Sequence, residues 1–261
     1  MLDEAATETM ITPVSDSLYT QLIKTYAGNL PTTEPHSLDE IRKLAFERFK
    51  KIGFPTVKHE DWKYTNVQPL VSRPYVLGVS EQPVDSKIFE RAAIQGLDAY
   101  RIVIVDGYYN RTLSTAEGVS GLAIMPIEEA FDRLCFAKYF AEYADKTDNP
   151  FVALNTATFT TGLFLEVGKN NCLEKPVHII HVATSTQPVF IQPRNLFVIS
   201  SGAEAEVIES FITHDGASDS LSNTVTEIVV RENARLQHYY LQMGGTQSNY
   251  IRHTEVYQEK H

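Results

Sequence analysis

His178 and His181, three positions apart, are the first pair in this chain that could share a metal ion. They lie in Val177-His178-Ile179-Ile180-His181-Val182, a β-branched run that predicts a strand. Positions i and i+3 of a strand face opposite ways, so both imidazoles are expected to serve structure. A cupin-like pair would need the i, i+2 spacing with a Glu beyond, which this run lacks. His238 is expected to point inward, in register with Val207, as a neutral imidazole bonded to a neighbouring strand. His214-Asp215-Gly216 reads as a solvated turn. Of the two cysteines, Cys135 falls on the apolar face of an expected helix as a small core residue. Cys172 follows Lys169-Asn170-Asn171 in a turn and is expected to be exposed. A single thiol there is a weak ligand for iron or sulfur.

The acidic pairs Asp39-Glu40 and Glu128-Glu129 sit at expected helix starts, where the macrodipole favours carboxylates. Glu204, Glu206 and Glu209 with Arg231 and Arg235 are expected to pair across adjacent strands, for a few tenths of a kcal/mol each. No phosphate-loop, dinucleotide, H-E-x-x-H, nucleophile-elbow or C-x-x-C pattern occurs. No catalytic, cofactor-binding or metal-binding residue is therefore assigned.

The elements that would position these groups fall into two kinds. Apolar residues at helical spacing predict helices over 15–28, from Ser37 to Gly53, over 88–94, over 126–143 and over 150–158. Ser37 with Glu40 three residues on forms a capping box, and Gly53 with Pro55 stops that helix. The Pro-containing, polar and aromatic segment 54–75 is expected to be an ordered loop. Arg101-Ile102-Val103-Ile104-Val105 predicts a buried strand ending in the Asp106-Gly107 turn. Beyond about residue 160 helical periodicity gives way to short β-branched runs.

Those runs repeat. Phe197-Val198-Ile199 falls on Ile228-Val229-Val230, Gly202-Ala203 on Asn233-Ala234, and Ala205-Glu206-Val207 on Leu236-Gln237-His238. Gly and Asn both tolerate the left-handed backbone of a tight turn, so turn chemistry repeats with the apolar pattern. A weaker third copy lies upstream around Cys172 to Ile179. Repeated strand, turn and strand suits a parallel solenoid, with an antiparallel meander as the alternative.

The 261 residues carry a net charge of −10 with 43% hydrophobic and 21% charged residues, a folded globular profile. Apart from Arg48-Phe49-Lys50-Lys51 no basic cluster offers phosphate neutralisation, which argues against a nucleic-acid partner. No run approaches the roughly 18 apolar residues of a membrane span. Met1-Leu2-Asp3-Glu4 is acidic where a signal peptide is basic, and two cysteines make no disulfide framework. A reducing, cytoplasmic setting is expected.

The run Lys58-His59-Glu60-Asp61-Trp62-Lys63-Tyr64-Thr65-Asn66-Val67-Gln68-Pro69-Leu70, after Gly53-Phe54-Pro55, resembles the N-terminal signature of SufD in the SufB/SufD family. Ala234-Arg235-Leu236-Gln237-His238 also looks like a strand of that family, and the resemblance spans nearly the whole chain. It implies an α+β fold: a mainly helical region with a short strand pair over 1–158, then an incomplete right-handed parallel β-helix over 159–261. It implies a non-catalytic scaffold for iron–sulfur cluster assembly that pairs with a SufB-like subunit through the β-helix. A SufC-like ABC ATPase would dock as well, with a transient cluster and FADH2 belonging to the full complex. His59, Trp62 and Tyr64 are taken as packing residues.

The chain departs from the family pattern by ending before the later coils, the late A-D-D-V-K-C-S-H-G-like segment and the helical region that binds the ATPase. Glu259-Lys260-His261 shows no capping character. An uncovered last coil would expose strand edges, so a fragment or a homodimer is expected. Two other readings are a β-helix enzyme acting on polysaccharide and a plain interaction module. The first needs clustered Asp with Lys or Arg on one strand face and an extracellular signal, neither of which is visible.

Overall fold

The computed structural model describes residues 17–32, 37–77, 84, 86–88, 92, 94–214, 216–217, 219–246 and 248–260. Helix α1 (Leu18–Tyr26) is capped by the Ser17 hydroxyl, which accepts from the Thr20 amide at 3.4 Å, and it buries Leu18 and Leu22. Helix α2 (Ser37–Ile52) starts at the residue that the capping pattern selects. Asp39 and Glu40 lie in its first turn and Lys50 and Lys51 in its last, complementing the macrodipole. It stops at Gly53, whose φ of +69° is the left-handed conformation of a glycine terminator. The segment expected as a loop holds one 3₁₀ turn, Glu60–Trp62, and the single-turn helix α3 (Gln68–Val71). Of the 88–94 helix, Ile88 closes a 3₁₀ turn (Ser86–Ile88), Ala92 is helical and Ile94 is not; residues 89–91 and 93 lie outside the described residues. So do the Met1-Leu2-Asp3-Glu4 opening, residues 15–16, Asp215 and His261.

Twelve strands among the described residues form two sheets. The first has the order β1 (Val76–Leu77), β7 (Val189–Ile191), β10 (Ser220–Val230), β8 (Arg194–Ile199), β5 (Leu163–Val167), β4 (Leu122–Pro126), with β12 (Ser248–Gln258) on the other side of β10. The second runs β11 (Arg235–Gln242), β9 (Glu204–Thr213), β6 (Val177–Ala183), β2 (Tyr100–Val105), β3 (Tyr108–Tyr109). The described pairings are parallel except β2 with β3 and β4 with β5. Strands β1, β2 and β4, from the first 158 residues, thus pair with strands that follow residue 159. The class is α+β.

The internal repeat is the register of these sheets. Phe197 pairs with Ile228, and Val207 with His238. One coil upstream Val177 pairs with Val207, and Cys172 bridges Glu204, so the third copy takes its place in the ladder. Asn170, Gly202 and Asn233, at φ of +58°, +68° and +56°, make the same left-handed turn in three successive copies of the repeat. The two sheets share one apolar layer, with Ile102, Ile104, Val177, Ile179 and Val207 facing Leu163, Leu165, Phe197, Ile199 and Ile228. The opposite face of the first sheet is covered by helical segments, through Phe131, Phe136, Phe140 and Phe159 on Phe164, Leu196 and Val229. Ile88 and Ala92 cover Val103, Val105, Ile180 and Val182 on the second.

One expected helix is corrected. Residues 126–143 do not run continuously: β4 ends at Pro126, a 3₁₀ turn covers Ile127–Ala130, and helix α4 spans only Leu134–Tyr139. Phe140 is extended and Ala141 has a φ of +58°. The cause is tertiary. The Glu227 carboxylate of β10 accepts from the amides of Ala141, Tyr143 and Ala144 at 2.8, 3.0 and 3.0 Å, drawing that backbone out of helical geometry. Helix α5 (Pro150–Thr158) forms as expected, with the Asn149 side chain accepting from the Phe151 amide at 3.0 Å.

Candidate functional site

Strand alternation builds the principal polar cluster of the interior. Val207, Glu209 and Phe211 take one face of β9, so a carboxylate enters the apolar layer between the sheets. Neighbours on both sides supply its partners. The His181 Nε2 of β6 lies 2.8 Å from Glu209 Oε2, and the His238 Nε2 of β11 lies 2.8 Å from Oε1. A carboxylate only accepts, so each Nε2 carries the proton and, in a neutral ring, each Nδ1 keeps its lone pair. Burial pushes the Glu209 carboxyl up, but the two imidazole donors outweigh it and hold it down at about 2. His181 stacks on Phe211 with ring centres 4.1 Å apart, and Phe211 meets Tyr240 at 4.4 Å. Arg252 of β12 lies 3.5 Å above the Tyr240 ring, spanning the gap between the sheets. His181 also lines a small interior cavity with Asp106, Ser222, Thr224 and Tyr250.

A second cluster ties the helices to the outer face of the first sheet. Arg194 Nη2 donates to Glu227 Oε2 at 2.7 Å, and Arg194 Nη1 to Thr156 Oγ1 at 2.8 Å. Asn155 of α5 donates to the carbonyls of Pro193 and Asn223 at 3.0 and 2.8 Å. Asn223 returns a bond to the Phe151 carbonyl at 2.9 Å. These groups lie under α5 with almost no solvent access, so their work is docking and register rather than chemistry on a ligand.

His178 and His181 do face opposite ways: His178 bonds Ser210 at 2.8 Å on the outer face, and burial lowers its pKa. His238 points inward opposite Val207, as expected. His214 and Cys172 are exposed. Cys135 is half-buried with Sγ 3.5 Å from Glu166 Oε2, and burial with that carboxylate pushes the thiol up to about 11. Trp62 packs on Phe151 at 5.3 Å, but Tyr64 is 91% exposed and His59 makes only local bonds to Thr56, so these two are not packing residues. Arg235 pairs with Glu204 at 3.6 Å across one coil, as expected. Glu209 does not join that surface set, because strand alternation turns it inward. Arg231 instead pairs with Glu259 at 3.1 Å, and the Glu232 amide donates to the same carboxylate at 3.3 Å. Glu209 was legible in principle: it shares a face with Val207 and Phe211, and its imidazole partners lie 28 and 29 positions away, close to the repeat. Among the described residues no group of three or more His, Cys, Asp or Glu has the geometry of a metal site.

The geometry defines a class of protein: an α+β fold of two mostly parallel sheets that share an apolar layer, with helical segments packed on the outside. Residues 14–179 match the family model for the SufBD protein N-terminal region. Residues 181–261 match that for the SUF system FeS cluster assembly, SufBD core domain. The chain belongs to the SufB/SufD family. It is 24% identical to an iron–sulfur cluster assembly SufBD family protein of Synechocystis, covering 87% of this chain and 52% of that one. Protein ABCI7, chloroplastic, of Arabidopsis thaliana is 25% identical over 94% of this chain and 53% of its own length. Iron–sulfur cluster assembly protein SufD of Escherichia coli is 26% identical, over 80% and 47%. The chain spans about half the length of the curated relatives it matches.

Proposed function

We propose that this chain is a non-catalytic scaffold component of iron–sulfur cluster assembly in a SufBCD-type complex. The observation that carries the reading is the consecutive match of the N-terminal and core family models over 14–179 and 181–261. The parallel ladder with its recurring left-handed turns supports the finer fold, a right-handed parallel β-helix preceded by a helical region. A SufB-like subunit is the proposed partner of the β-helix. A SufC-like ABC ATPase docks through a region that the family resemblance places beyond the residues present here. The cluster is cargo held transiently by the complex, and FADH2 acts on the complex rather than on residues of this chain. The proposed compartment is the cytoplasm. A second copy of the chain is the further proposed partner.

The test is capture of the tagged protein from its source, with co-captured subunits identified by mass spectrometry, beside assays of iron–sulfur enzymes after gene disruption. SufB-like and SufC-like partners and a fall in those activities are expected. Capture without either subunit, with iron–sulfur enzymes unaffected, would overturn the reading.

A further inference from the structure

We propose that the cleft beside Asp106 binds a small organic ammonium ion. The cleft has a volume of about 300 Å³ and lies where Tyr26 of α1, Tyr108 of β3, Thr158 and Thr161 at the end of α5, and Gln192 after β7 come together. Asp106 gives it a negative wall. That residue is 1% exposed, and both carboxylate oxygens accept from Thr184, one from the amide at 2.8 Å and the other from the hydroxyl. Among the described residues no Lys, Arg or His forms an ion pair with it. A buried charge is ordinarily paired, and two neutral donors supply no countercharge. Asp106 also borders the interior cavity beside His181, but a volume of about 30 Å³ there admits no organic ion. The larger cleft is where a cation can reach the carboxylate.

The neighbouring groups narrow the ligand class. Thr158 Oγ1 donates to the Leu154 carbonyl at 2.8 Å, and Thr161 Oγ1 donates to the Gly107 carbonyl. Both hydroxyl protons are thus used inside the protein, and what these two groups have left for the cleft is lone pairs. Acceptors beside a carboxylate suit a ligand that only donates. An ammonium group has three N–H donors and no acceptor, and its bonds to a carboxylate are charge-assisted. A carboxylate or phosphate ligand would meet lone pairs and like charge instead. Tyr26 and Tyr108 bring aromatic rings, which attract cations. Leu77 and Phe190 complete the lining with apolar surface, which an alkyl chain can cover and a bare metal ion cannot.

Amide NMR of the intact chain, titrated with butylammonium chloride beside butanol, sodium butyrate and potassium chloride, tests this. Saturable shifts of the Asp106, Gly107, Thr161 and Gln192 signals are expected with butylammonium, at about millimolar concentration for so small a ligand. The other three additives are expected to leave those signals in place. Asp106→Asn is expected to weaken binding by at least about tenfold. Should that variant fail to fold, Thr160→Lys decides. Thr160 lines the cleft and is exposed, so the fold tolerates the change, and the tethered ammonium is expected to abolish the shifts. The absence of saturable shifts would overturn the proposal. Equal shifts with butanol would make the cleft merely apolar, and equal shifts with potassium would make it a site for a bare ion. Undiminished binding in Asp106→Asn or Thr160→Lys would separate the ligand from the carboxylate, and each of these results overturns the proposal as well.

Discussion

Arg194 and Glu227 meet at 2.7 Å on adjacent strands β8 and β10, with 0% and 1% of their side chains exposed. The pair is compensated on several sides, though Arg194 Nε has no hydrogen-bond partner among the described residues. The carboxylate also takes the amides of Ala141, Tyr143 and Ala144, and the guanidinium lies 4.9 Å from the Phe140 ring centre. A buried pair of this kind adds little net stability when intact, yet losing one partner strands the other charge.

Glu227→Gln is accordingly expected to destabilise the fold by about 3–5 kcal/mol, measured from denaturant midpoints at constant slope. Arg194→Met combined with Glu227→Gln should cost less than the sum of the two single changes. Strict additivity would show that the charges do not act as a pair.

Gly162 has a φ of +153°, and a Cβ built there would lie 1.7 Å from the Arg194 carbonyl oxygen. Backbone cannot yield that distance, so Gly162→Ala is expected to cost about 2–3 kcal/mol or to prevent folding. Gly245 meets nothing nearer than 3.8 Å, and Gly245→Ala is expected to stay within about 0.5 kcal/mol. Thermal melts of the two variants side by side check the contrast.

Acid should unfold the chain through Glu209. Its folded-state carboxyl is held at about 2, below the ordinary 4.5, so its contribution is complete above the ordinary value and lost as pH falls toward 2. Stability of the wild type is expected to decline across that window, and Glu209→Gln should flatten the decline from a lower starting point. A variant curve parallel to the wild type would remove Glu209 from the account.

The two thiols should react unequally. Cys172 is exposed, whereas Cys135 is half-buried beside Glu166 with its thiol pushed up to about 11. Only the thiolate alkylates rapidly, so iodoacetamide at neutral pH is expected to label Cys172 first, with Cys135 at least about tenfold slower. Peptide mapping over time reads the order directly.

Tyr239, Val256 and Tyr257 are 47%, 55% and 38% exposed on strands whose outer edges carry no partner among the described residues. Exposed apolar edges of this length template association. Sedimentation of this chain alone is expected to show concentration-dependent self-association, weakened by Val256→Lys. A monomer at all concentrations would exclude the second copy as partner of this face.

Local signals carried much of the fold. The stop of α2, the α5 helix, the β2 strand with its Asp106-Gly107 turn and the repeat around Gly202 and Asn233 all follow from residue type and spacing. The break near Ala141 was not legible, because Glu227, 86 positions away, imposes it. Glu209 is legible only when the repeat is used to stack its neighbouring strands. Charged residues on strands are read as solvated until the coil stacking shows which face is inside. Tyr64 errs in the opposite sense, since a motif residue need not be a core residue.

The pairing of the Asp106 turn with Thr184 joins positions 78 apart. At the usual pace of translation, roughly 5–20 residues per second, β2 waits on the order of 4–16 s for its partner to be synthesised. During that interval Ile102, Val103, Ile104 and Val105 form an unshielded hydrophobic strand on the nascent chain. The β11 strand has no such delay, because β9 is complete before β11 emerges. Assembly from the ribosome thus exposes the early strand to chaperones and to misassociation, while each later coil docks on a finished template.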